Sequence, residues 1–146
     1  NDTAYDLPTP LINENNLDFS FSGLKTAVNH IVKKNDLNNK FIEDLSSSFQ
    51  FCVSKILIKK IKKALNKLET ESKKISSISI VGGVSNNRYI AKRIEDFLKS
   101  HNIKIIFPTK EMMSDNAAMI AWSCLNKDIN DCKDILFKAN PRLEIK

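Results

Sequence analysis

Hydrophobic and polar positions along the chain change period several times, and each change marks an element. Leu17, Phe19 and Phe21 alternate with Asp18, Ser20 and Ser22. That period of two predicts a short strand with one buried face, ended by Gly23. Residues 1–16, with Pro8, Pro10 and a polar run at 13–16, read as a loop leading into it. From Leu24 the apolar residues Ala27, Val28, Ile31 and Val32 recur at three- and four-residue steps, which predicts a helix to about Lys34. A longer helix follows over residues 41–68, with Phe41, Leu45, Phe49, Val53, Leu57, Ile61, Ala64, Leu65 and Leu68 on one face. Lys55, Lys59, Lys62, Lys63 and Lys67 fall on the other face, so the helix should lie across a sheet and expose its lysines.

Residues 75–81, rich in isoleucine and serine, read as a buried strand stopped by Gly82-Gly83. Ser85 or Asn86 can cap the next helix, whose apolar face is Ile90, Ala91, Ile94, Phe97 and Leu98. Residues 103–107 form a second strand closed by Pro108. Strand, glycine turn, helix and strand make a βαβ unit, hence a parallel pair with a right-handed crossover and an α/β fold. A last helix begins near Ser114-Asp115 and carries Ala117, Ala118, Ile120, Ala121 and Leu125, and a short apolar patch lies at 135–137.

Composition adds boundaries to this picture. The 146 residues are 42% hydrophobic and 27% charged, as expected of one globular domain with a core. No stretch approaches the roughly 18 uncharged apolar residues of a membrane span, and the start has no signal-peptide pattern. Cys52, Cys124 and Cys132 form no C-x-x-C pair and are too few for a disulfide scaffold, so free thiols in a reducing compartment are expected. The opening Asn-Asp-Thr lacks an initiator methionine, which suggests a chain that begins partway through a larger protein.

The net charge of +6 is local, because residues 55–74 hold eight lysines against two glutamates. Such a face either meets phosphates or is the solvated side of an amphipathic helix. Lysine supplies 20 of the 23 basic residues, and with 16 asparagines this resembles AT-rich coding bias more than an arginine surface built for bidentate phosphate contacts.

Candidate chemistry concentrates at three places. Gly82-Gly83, two of only three glycines, sits between a strand and a helix, where a turn lets backbone approach a flat or charged ligand. Neither G-x-G-x-x-G nor a P-loop is present, so a plain tight turn and a nucleotide contact both remain open. Asp115 stands at a helix start, either as an N-cap or as a carboxylate organising metal or phosphate. His30 and His101 are isolated and complete no metal motif. Ser20, Ser22 and Lys25 surround a glycine turn, as cap and solvated ammonium or as a Ser–Lys pair that lacks a G-x-S-x-G elbow.

Three segments taken together, Phe19-Ser-Phe-Ser-Gly-Leu-Lys-Thr26, Val81-Gly-Gly-Val-Ser-Asn-Asn-Arg88, and Phe107-Pro108 followed by Ser114-Asp-Asn-Ala-Ala-Met-Ile-Ala121, resemble in order and spacing the C-terminal half of the TsaD family. These are the tRNA N6-adenosine threonylcarbamoyltransferases, formerly filed as O-sialoglycoprotein endopeptidases. The resemblance runs through to Asn140-Pro-Arg142. It implies an actin-like ATPase fold, shared with sugar kinases and chaperones, with a ligand cleft between two lobes. Residues 1–146 would be a C-terminal fragment, mostly second lobe, with 115–146 packing back toward the first.

By the same resemblance Gly82, Gly83 and Asn87 hold the adenylate portion of threonylcarbamoyl-AMP, and Asp115 is a metal ligand. Its partner histidines, in an H-x-x-x-H motif, belong to the family's N-terminal half and are absent here, so the fragment alone should be inactive. The implied cofactor is one divalent metal, iron or zinc, per full-length subunit, not retained by the fragment. A cation near the acyl carbonyl or phosphate would stabilise developing charge. The implied reaction moves the threonylcarbamoyl group from its anhydride with AMP to the adenine beside the anticodon in tRNAs reading ANN codons. Implied partners are tRNA, the actin-like paralogue TsaB and the ATPase TsaE, in the cytoplasm and away from membranes. The alternatives are a non-catalytic actin-like scaffold of the same pathway and a small-molecule kinase of the superfamily. Without H-E-x-x-H or a triad, the segment offers a protease nothing to activate water.

Overall fold

The structure, a computed structural model, describes residues 1–113 and 117–126. The chain divides into two units, Asn1–Ser114 and Asp115–Lys146. In the first, helix α1 (Ser22–Lys33) precedes the 32-residue helix α2 (Asn39–Thr70). Strand β1 (Ser77–Ser79), a 3-10 turn (Gly83–Asn86), helix α3 (Arg88–Lys99) and strand β2 (Lys104–Ile106) follow, with a second 3-10 turn at Lys110–Met112. In the second unit, helix α4 (Ala117–Leu125) exposes Ile120, Trp122 and Leu125. The predicted onset of this helix at Ser114-Asp115, the 135–137 patch, Cys132 and Asn140-Pro-Arg142 lie outside the described residues.

The βαβ reading holds. β1 and β2 pair in parallel, with Ile78 opposite Ile105, and α3 connects them. A parallel pair cannot be joined by a tight turn, so a crossover helix is the topology it demands. Asn38 caps α2 by accepting from the Phe41 amide at 2.8 Å. The core gathers Leu24 of α1, Val53 and Ile56 of α2, and Ile90, Ile94 and Leu98 of α3. Ile78, Ile80 and Ile105 of the sheet pack against it, and so the mixed α/β layer has one continuous apolar interior.

Several sequence expectations change. Residues 17–21 form no strand, and Leu17, Phe19 and Phe21 are 41%, 51% and 39% exposed. A strand needs a neighbour to take its backbone N–H and C=O groups, and among the described residues none lies beside this run. The cap of α3 is Asn87, whose Oδ1 accepts from the Ile90 amide at 3.0 Å. Ser85 and Asn86 fall instead inside the 3-10 turn, and the buried Ser85 hydroxyl donates to the Gly82 carbonyl at 2.6 Å. The 75–81 strand is half-exposed and pairs over only three residues, because β2 covers just that stretch.

A further change concerns α2, which is buried on two sides. Val53, Leu57 and Ile61 face the core as expected, whereas Phe49 is exposed. A second stripe at four-residue steps, Ser48, Cys52, Ile56 and Lys60, is also buried. It lies against the leading segment, residues 1–16. The Ser48 hydroxyl oxygen accepts from the Tyr5 amide at 3.1 Å, and the Cys52 thiol approaches the Pro8 carbonyl at 3.4 Å. Burial pushes the Cys52 thiol above its ordinary pKa, which suits a packed side chain rather than a nucleophile.

Lys60 and Lys63 do not join the solvated face. Lys60 is only 2% exposed and donates to the Asn16 carbonyl at 2.9 Å and to Asn16 Oδ1 at 3.0 Å. Lys63 donates to the Glu14 carbonyl. Desolvation, with the neighbouring Lys60 and Lys59 ammoniums, holds Lys63 below the ordinary lysine range. Lys55, Lys59, Lys62 and Lys67 remain exposed, as the amphipathic pattern predicts.

Leu98 is fully buried while Leu37 is 65% exposed. Leu98→Ala should therefore cost about 2–5 kcal/mol of unfolding free energy through lost transfer and cavity formation. Leu37→Ala should stay within about 0.5 kcal/mol. Denaturant unfolding of the two variants checks this, and equal losses would contradict the assignment of the core.

Candidate functional site

Residues that are distant in sequence share the wall of a cavity of about 900 Å³ in the first unit. Phe21, Leu24 and Lys25 come from the start of α1, Phe49 and Gln50 from α2, and Gly83, Ser85 and Asn87 from the turn before α3. The apolar floor, Leu24, Val53, Ile90 and Ile94, is the edge of the core itself. Mostly apolar walls with a few polar groups at the rim, in a volume of this size, suit a small molecule with one flat apolar body.

The glycine turn owes its shape to local chemistry. Gly82 has φ +91°, a conformation that side chains of L-residues rarely adopt, while an added Cβ at Gly83 would meet nothing within 4 Å. The two glycines therefore differ in kind. Gly82 makes the turn, and Gly83 lies on the cavity wall, where its missing side chain leaves the backbone open to a ligand. Asn87 also lines the cavity, but its Oδ1 is committed to capping α3. Its place on the wall and its role as a cap follow from one position, the residue just before the first turn of α3.

The start of α1 supplies another part of the wall. No side chain caps this helix, contrary to the role open to Ser22, which is instead its first helical residue. The Ser20 and Ser22 hydroxyls lie 3.2 Å apart, and Phe19 and Phe21 are near-parallel at 6.4 Å between ring centres. Lys25 is exposed at the rim. Gln50 and Phe49 were not singled out by sequence reasoning. Their helical spacing marks them only as parts of α2, and nothing local signals that the helix passes under a cavity.

Asp115 lies outside the described residues, so its part in a site is not described. Among the described residues no group of three or more His, Cys, Asp and Glu side chains is placed to hold a metal ion. His30 and His101 are both exposed, and the His101 ring packs on Phe97 with 4.4 Å between centres. The described residues therefore do not fit a metal centre. No helix among them is long and apolar enough to cross a membrane.

Comparison with known proteins identifies relatives of the chain. The sequence profile of TsaD, tRNA N6-adenosine threonylcarbamoyltransferase, matches residues 1–122. Proteins named tRNA N6-adenosine threonylcarbamoyltransferase include one from Neorickettsia sennetsu, 37% identical over 94% of this chain and 40% of its own length. One from Thermosipho africanus is 37% identical over 99% of this chain and 42% of its own. Another, from Rickettsia peacockii, is 38% identical over 84% of this chain and 37% of its own. The chain spans about two-fifths of the length of these relatives. Each carries the transferase name, and none the name of a scaffold or a kinase.

Gly82→Ala and Gly83→Ala separate the two glycine roles. Gly82→Ala should cost about 1–3 kcal/mol of stability, because alanine is strained at that φ. Gly83→Ala should leave stability within about 0.5 kcal/mol, so that any weakening of ligand binding there reports a lost approach to the ligand. Thermal unfolding of both variants tests this, and a Gly83→Ala loss as large as that of Gly82→Ala would contradict it.

Proposed function

The chain belongs to the tRNA N6-adenosine threonylcarbamoyltransferase (TsaD) family, and on that premise we propose that the full-length protein transfers a threonylcarbamoyl group from threonylcarbamoyl-AMP to N6 of the adenine beside the anticodon in tRNAs reading ANN codons. In this reading residues 1–146 supply most of the second lobe of an actin-like fold. The observation that carries it is the convergence of two family motifs on one cavity. Phe21, Leu24 and Lys25 of the first and Gly83, Ser85 and Asn87 of the second share its wall, although some sixty residues separate them.

The chemistry asks little covalent work of the protein. The exocyclic amine attacks the carbonyl carbon of the mixed anhydride, the bond from that carbon to the phosphate oxygen breaks, AMP departs with the electron pair, and the amine sheds one proton. Catalysis then rests on holding the adenylate still while the tRNA presents its amine. Apolar walls exclude water from the base, Gly83 allows close approach, and Asn87 marks the helix start beside it. The cavity thereby serves as the adenylate half of the site. No enzyme nucleophile is needed, and no cysteine lines the cavity among the described residues.

We extend the proposal to Asp115, as one carboxylate ligand of a divalent metal, iron or zinc, in the full-length enzyme. One carboxylate cannot hold such a cation against water, so the 146-residue chain alone should retain metal weakly at best. No step above is routed through the metal. TsaB and TsaE as partners, and the cytoplasm as location, belong to the same proposal.

Two experiments test this reading. The full-length protein, given tRNA and threonylcarbamoyl-AMP with its partner proteins, should release AMP and modify adenosine one for one. Asp115→Ala should abolish that transfer and the bound metal while leaving the fold intact. Normal metal content and turnover in the variant would remove Asp115 from the site, and AMP release without modified tRNA would contradict the transferase assignment.

The exposed lysines of α2 should contribute to tRNA affinity only modestly, since flexible ammoniums give a salt-screened attraction. Neutralising Lys59, Lys62 and Lys67 together should leave the salt dependence of tRNA binding nearly unchanged. Loss of three phosphate contacts would lower the slope of log K against log salt by about 2.7. A fall of that size would make this face part of the tRNA platform.

A further inference from the structure

Lys60 is the one buried cation of the first unit's described residues, and no carboxylate is within ion-pair distance of it. A charge withdrawn from water needs compensating contacts, and here both come from a single residue. Its ammonium donates to the Asn16 carbonyl and to Asn16 Oδ1. The same Oδ1 accepts from the Asp18 amide at 3.2 Å, closing a turn, and Asn16 Nδ2 donates to Glu14 at 3.2 Å. Lys63 holds the Glu14 carbonyl one helical turn along. Three residues beyond Asp18 the chain reaches Phe21, which with Leu24 and Lys25 forms one wall of the cavity.

Residues 17–21 have no secondary structure to hold them. Nothing in their own backbone ladder fixes where Phe21 stands, so their position depends on the turn at Asn16 and on α1 at the other end. We infer that Lys60 is a positioning residue for the adenylate cavity, acting through Asn16 to fix the wall that carries Phe21 and Lys25. The inference rests on the cavity being the adenylate site proposed above. Lys60 touches no ligand itself. An ammonium suits the task because its compact charge offers several donors at the end of a long stem, and can therefore clasp a carbonyl and a side-chain oxygen together.

The test uses the full-length protein and steady-state kinetics with threonylcarbamoyl-AMP as the varied substrate, alongside amide hydrogen exchange over residues 17–21. Lys60→Met keeps the stem and removes the donors. It should raise KM at least about tenfold with kcat within about twofold, the pattern of lost binding rather than lost chemistry. Exchange at the Asp18 amide, the one of this run that is hydrogen-bonded, should accelerate while the α3 core stays protected. Asn16→Leu keeps the backbone carbonyl and removes only the side-chain half of the clasp, so it should raise KM less than Lys60→Met, and the double variant should be no worse than Lys60→Met alone. Asn16→Asp keeps the acceptor oxygens and should retain the wild-type KM. An unchanged KM in Lys60→Met, an effect confined to melting temperature with exchange at the Asp18 amide unaltered, or an Asn16→Asp variant as impaired as Asn16→Leu would overturn the inference. Failure of the transferase reading is distinct, because wild-type protein would then show no transfer at all while the exchange arm still reports on the clasp.

Discussion

Helix α2 is buried from two sides, and the rest of the first unit is arranged around that fact. On one side Val53, Leu57 and Ile61 meet α3 and the sheet across an apolar core. On the other, a stripe of Ser48, Cys52, Ile56 and Lys60 lies under sixteen residues that have no regular structure. Such a segment cannot satisfy its own backbone, so its polar groups must find partners elsewhere. The helix offers a hydroxyl, a thiol and two ammoniums at the intervals where the leading chain needs them. With one face apolar and the other carrying Ser48, Cys52, Lys60 and Lys63, a single helix holds both the core and the approach to the cavity.

That division explains which features were legible in the sequence. The period of the long helix, the glycine punctuation and the two isoleucine-rich runs are local signals, and the βαβ unit follows from them almost without tertiary information. Lys60 was invisible among its neighbours, because a lysine on a lysine-rich helix looks like any other until the segment covering it is known. The strand expected at 17–21 failed for the complementary reason. Alternation states what a strand would bury, but pairing requires a neighbour, which lies outside what a local pattern can supply. The shift of the α3 cap from Ser85 or Asn86 to Asn87 reflects a 3-10 turn inserted between glycine turn and helix, one step finer than propensity resolves.

The candidate site shows the same limits. Gly82-Gly83 was recognisable as a tight turn, with or without a ligand, yet only the backbone separates the glycine that makes the bend from the one that lines the cavity. Asn87 was assigned to the ligand, and its side-chain oxygen proves also to hold the helix that frames the cavity. Phe21 and Lys25 stood in a motif whose role was open, and the fold sets them on the same cavity as the glycine turn. Gln50 carried no motif at all. A site assembled from the starts of two helices and the flank of a third is spread too widely for spacing to reveal.

The central claim is that this cavity seats the adenylate, and a crystal structure of the full-length protein with AMP bound tests it most directly. The account predicts the adenine between the Gly83 backbone on one side and the wall formed by Phe21, Leu24 and Lys25 on the other, with Asn87 still capping α3. AMP bound elsewhere on the protein, with the cavity left empty, would contradict it.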